Sequence, residues 1–164
     1  MPDPVGPALL AWLETTAPAA AMREWLWLYP AVEVVHIVGL VLLVGAAAMF
    51  DLRLLGGGRT LAVRALARFL LPWSWLGLAV VVPSGLLLFS AHAIEVMANP
   101  AFQLKLVLIA AAGLNVLWLH CGTLRAADAW EMGQPTPRRA RVAAAASLLL
   151  WVGVILCGRL LAYV

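Results

Sequence analysis

The sequence predicts an all-α membrane protein: a four-helix transmembrane bundle preceded by an amphipathic interfacial segment. Three observations lead there. Of 164 residues, 65% are hydrophobic and only 12% charged, with a mean hydropathy of +0.98. A soluble domain of this size could not bury that much apolar surface. Four separate runs are each long enough to cross a hydrocarbon core of about 30 Å at about 1.5 Å per residue. Finally, eight of the eleven Lys and Arg residues flank the loops between runs one and two and between runs three and four.

Residues 1–29, with "PALLAWLETTAPAAAMREWLW", are expected to form one or two short amphipathic helices along one membrane face, ending in an aromatic belt of Trp25, Trp27 and Tyr29. The opening is acidic and has no basic n-region, so no cleavable signal peptide is expected. The membrane domain, 30–164, has spans at about 30–50, 69–96, 102–122 and 142–163. Pro83 within "VVPSG" predicts a kink in span two, and "ANPAF" a tight turn before span three. The loop after span one carries Arg53, Arg59, Arg64 and Arg68 around Gly56–Gly58. The loop after span three carries Arg125, Arg138, Arg139 and Arg141, with "QPTP" at Gln134–Pro137. By the positive-inside rule these loops are cytoplasmic and both termini lie outside. Cys121 and Cys157 fall near opposite faces, so no disulfide is expected. No basic stripe with interleaved aromatics points to nucleic acid, and no hydrolase, phosphate-loop or zinc-finger spacing occurs. The partner this composition requires is the lipid bilayer. Gly and Ala faces on spans one and three suit helix association within a chain or in a homo-oligomer.

Ionisable residues within spans cost roughly 2.5–3.5 kcal/mol each at mid-bilayer, and here they share a layer. Counting from the outer boundaries, Glu33 lies about 4 Å in, His36 about 9 Å, His92 about 6 Å with Glu95 above it, Lys105 about 7 Å, and Arg159 about 6–8 Å. Glu33–His36 and His92–Glu95 are both i,i+3 pairs sharing a helix face. His36 and His92 suggest bis-imidazole ligation of a haem b between facing helices. Gly39, Gly45, Ala46–Ala48 and Gly85 would make room, and Lys105 and Arg159 would meet the propionates. The same residues permit copper or zinc on His36, His92 and a glutamate, or a plain helix lock in which His36 bonds Glu33 or a carbonyl. His120, near the inner face with Met49, is a candidate ligand for a second haem. Asn115 is expected to tie span three to a neighbour.

"WLYPAVEVVHIVGLVLLVGAAAMFDLRLLG", Trp27 to Gly56, resembles the opening of a bacterial family of four-helix membrane proteins of unknown function. "NPAFQLKLVLIAAAGLNVLWLH", Asn99 to His120, resembles its third helix. There is a fainter resemblance to the HemJ-type protoporphyrinogen oxidases and the CopD-type copper-resistance proteins. His36 followed by "DLRLL" (Asp51–Leu55) echoes the HemJ-type first helix, and Lys105 followed by His120 echoes its third. That resemblance implies a haem-associated protein of the bacterial inner membrane, with His36 a haem ligand and Lys105 a site residue. Glu33, His92 and the long N-terminal segment depart from it. The expected function is membrane electron transfer through haem b, with a membrane or periplasmic redox partner. A porphyrinogen-oxidase-like enzyme, a copper-handling protein and a structural partner are the alternatives.

Overall fold

The computed structural model describes residues 5–121, 135–161 and 163. Seven α-helices and no strand occur among them: α1 (Val5–Glu14), α2 (Ala17–Glu24), α3 (Leu28–Leu55), α4 (Val63–Ala91), α5 (Ala93–Ala98), α6 (Pro100–Cys121) and α7 (Arg138–Leu160). Local chemistry accounts for the boundaries. Thr15 and Thr16 donate to the carbonyls of Trp12 and Leu13, using acceptors that the end of α1 leaves over. Gly56 ends α3 in the left-handed region, at φ 113°, where a side chain would be strained. Pro100 opens α6 at a position whose N–H needs no partner, and the Asn99 side chain accepts from Ala101 N at 2.8 Å. α4 runs on through Pro72 and Pro83.

Helices α3, α4, α6 and α7 are long and apolar enough to cross a membrane, which makes the chain a multi-pass membrane protein. Their outward faces are apolar, with Val41, Leu86, Val107 and Leu149 all exposed. Lipid is the solvent such a surface fits. α3 packs against α4 on one side and α7 on the other, and α6 packs on α7. The stacked rings of Phe89 and Phe102, with centroids 5.3 Å apart, bridge α4 and α6. α1 and α2 lie across the ends of α3, α4 and α5, burying Ala19 and Met22. This is the capped end of the bundle; the opposite end carries the arginines.

The closest approach joins α3 and α4. A Cβ on Gly77 would lie 2.5 Å from Leu43 N and 2.7 Å from Gly39 O. Two glycines thus let the backbones touch, which in lipid replaces the hydrophobic drive that water would supply. The tightest core sits at the arginine end: Phe50, Leu54, Val63, Leu119, Ala140, Ala143 and Ala144. Asn115 Nδ2 donates to Ala143 O at 2.9 Å, tying α6 to α7 as expected from sequence.

Four boundaries differ from the sequence reading. α4 begins at Val63 and α7 at Arg138, so Arg64, Arg68, Arg138, Arg139 and Arg141 lie in the first turns of helices rather than in loops, arginine being a good helix former. α3 continues to Leu55, so Arg53 lies inside the helix and is buried rather than in a loop. Its guanidinium satisfies the following turn, with Nε donating to Leu61 O at 2.7 Å. The expected second span is broken at His92, where φ −143° and ψ 51° leave the helical region. Arg23 Nη1 donates to Ala91 O at 3.1 Å on one side of the break. On the other, Glu14 Oε1 accepts from Ile94 N at 2.9 Å. The N-terminal helices thus take up backbone groups that the break leaves unpaired.

Candidate functional site

His36 is in the third turn of α3, half-buried against α4. Its Nδ1 lies 2.9 Å from Ser84 Oγ. The Ser84 hydroxyl, itself buried, lies 2.6 Å from Val80 O and 3.2 Å from Val81 O. A hydroxyl has one proton, and a carbonyl can only accept, so Ser84 donates to the helix backbone. It must then accept from His36, which puts the imidazole proton on Nδ1. The lone pair is left on Nε2. The ring sits over Gly85, where an added Cβ would come within 3.0 Å of His36 Cε1. Gly85 therefore makes room for the imidazole itself, where the sequence reading had it making room for a haem.

Lys105 of α6 is half-buried, with Nζ packed over Gly158 of α7, 3.5 Å from where a Cβ would sit. It lies within electrostatic reach of His36 and of the buried, free thiol of Cys157. Helical side chains lean toward the N-terminus of their helix, which directs this amine toward the capped end. Four helices therefore contribute to one layer: His36 from α3, Ser84 and Gly85 from α4, Lys105 from α6, and Cys157 and Gly158 from α7.

The other expected members lie elsewhere. Glu33 is exposed one turn nearer the capped end, within electrostatic reach of His36. His92 is exposed at the α4–α5 break. It is seven residues beyond Gly85, about 10 Å farther along the axis, so the matched depth expected for His36 and His92 is not met. Glu95 is exposed on α5, and Arg159 is exposed at the end of α7. There the Arg159 guanidinium bonds the Tyr163 hydroxyl and lies 4.9 Å from the centre of its ring. The side chains of His120 and Cys121, and Arg125, lie outside the described residues.

Sequence reasoning missed Ser84. Its signal was a hydroxyl amid apolar helix residues and beside a glycine, where it must find a partner. Asp51, buried at the arginine end and bonded to Ser147, was missed as well. No group of three or more His, Cys, Asp or Glu side chains able to hold a metal ion occurs among the described residues, so a copper site on His36, His92 and a glutamate is not assembled there. The chain matches no protein-family model, no characterised protein and no solved structure.

Proposed function

We propose that the protein is an integral-membrane haem b protein of redox type, in which His36 would hold the iron through Nε2. The observation that carries this reading is the Ser84 hydrogen bond, which holds the imidazole in the tautomer with Nε2 free. Metal-bound histidines are oriented by such a bond on the other nitrogen. Lys105 offers a cation for a propionate at the same level, and a half-buried layer among apolar helices suits a flat, largely apolar macrocycle. Such a group would supply one-electron chemistry. This chain's part is to hold the ring nitrogen, orient it and exclude water. His92 is out of register, so of the two histidines His36 alone would hold the iron. The positive-inside rule favours the bacterial cytoplasmic membrane with the arginine end inside and both termini outside.

A second reading has its own observation. The fit of the His36 ring over Gly85, together with its bond to Ser84, would serve equally to lock α3 to α4. Absorption spectra of the detergent-purified protein, oxidised and dithionite-reduced, with a pyridine haemochrome assay, separate the two. The haem reading expects a Soret band at about one haem per chain, lost in His36→Ala while helical content and monodispersity persist. A colourless protein after haem-supplemented expression would favour the lock, and His36→Ala should then lower thermal stability instead.

A further inference from the structure

At the arginine end, α3 carries a second ionisable group that the His36 layer does not use. Asp51 is 4% exposed, closed in at the α3–α7 interface. Ser147 of α7, also buried, hydrogen-bonds its carboxyl. The other oxygen, Oδ2, has no hydrogen-bond partner among the described residues. A carboxylate removed from water needs a cation or several donors, and a neutral acid needs far less. Among the described residues no cation is placed against Asp51. Arg53, two residues on, directs its guanidinium to the carbonyls of Leu61 and Arg59. Arg64 and Arg68 of α4 and Arg138, Arg139 and Arg141 of α7 are exposed. Phe50 and Leu54 are its neighbours along α3, and Ala143 and Ala144 lie one turn before Ser147 on α7, all four in the core cluster at this end. Trp151 lies one turn from Ser147 on the same face of α7, and its buried Nε1 also lacks a partner.

We propose that the Asp51–Ser147 pair is a membrane-embedded proton-binding site, whose carboxyl takes up a proton from the arginine end and releases it there. The ligand is a proton rather than a metal ion, because one carboxyl and one hydroxyl fall well short of the oxygen shell a hard cation requires. Ser147 suits both states, since a hydroxyl accepts from a carboxylic acid and donates to a carboxylate. Asp51 is four residues from the end of α3, about 6 Å of helix, so the proton has a short route. An ionisable group placed within a span at such cost marks a functional site by default, and an Asn or Leu would serve packing more cheaply. This inference is independent of the haem reading.

The test is infrared spectroscopy of membranes holding protein labelled with carboxyl-13C aspartate. The chain has three aspartates, Asp3, Asp51 and Asp128, so Asp3→Asn with Asp128→Asn leaves Asp51 as the reporter. The expected result is a 13C-shifted carbonyl band of a protonated acid at neutral pH. It should move in deuterium oxide and give way to carboxylate bands as pH rises, with Ser147→Ala shifting the band. Asp51→Asn in the unlabelled protein should remove the corresponding band. Carboxylate bands alone at neutral pH would overturn the proposal. So would an acid band that neither exchanges with deuterium nor titrates, or a band that responds to sodium at constant pH, which would indicate a cation site.

Discussion

At the scale of single residues, His36 takes its chemical character from Ser84. Sequence spacing could say that His36 lies near the start of a span, but not which of its nitrogens carries the proton. That depends on a hydroxyl forty-eight residues away, whose own proton is committed to Val80. Ser84→Ala should therefore leave the fold intact, at a cost of about 1 kcal/mol for the lost bond. It should weaken haem binding about 10- to 100-fold, as removal of a ligand-orienting partner does; titration of apoprotein with haem measures this. Glycines give a second contrast. Gly77→Ala would drive a Cβ into the backbone of α3 at Leu43 and Gly39. Main chain cannot yield as a side chain can, so a loss of about 1–3 kcal/mol or more is expected in detergent unfolding. Gly45→Ala meets nothing within 4 Å and should be neutral or slightly stabilising.

At the scale of elements, the break at His92 is set by the N-terminal helices. Residues 69 to 96 read as one continuous apolar run, and nothing local in "FSAHAIEV" demands a stop. The stop is stabilised from outside: Arg23 takes the Ala91 carbonyl and Glu14 caps Ile94 N–H. Arg23 also donates to Glu14 O at 2.8 Å, so clamp and cap form one unit. Glu14→Ala should cost about 1 kcal/mol, the usual value of a lost cap, and should speed amide hydrogen exchange at Ile94 first, with α6 and α7 unaffected. Equal exchange at Ile94 in both proteins would mean that α5 is held by packing alone. The same long-range contacts explain why His92 and Glu95 end at the surface. Their i,i+3 spacing was a valid statement about a helix that stops just before His92.

At the scale of the whole molecule, charge asymmetry and packing asymmetry coincide. Most of the arginines and the core cluster share one end, while Arg23, Arg159 and the half-buried layer of His36 and Lys105 are toward the other. If the arginine end faces the cytoplasm, a single cysteine at position 6 should react with a membrane-impermeant maleimide on intact cells. One at position 58 should react only after permeabilisation. Both belong in a background with Cys121→Ala and Cys157→Ala. The reverse pattern would place the His36 layer in the inner leaflet and Asp51 near the outside.

What could be read from the chain alone is what depends on local composition. In lipid each backbone polar group must be satisfied within its own segment, so long apolar runs become helices whatever surrounds them. Number, type and approximate ends of the four spans follow from this. So does the placing of His36 and Lys105 near the same end of their helices, because depth along a helix is simple counting. Facing is not local. Ser84 under His36, Ser147 against Asp51 and the cap from Glu14 to Ile94 all join residues from separate elements. Each arises from how rigid helices pack side by side, with the glycines of α3 and α4 setting how near their backbones come. The same packing put Arg53 and Asp51 inside the bundle, where the charge pattern along the chain had suggested no more than the start of a loop.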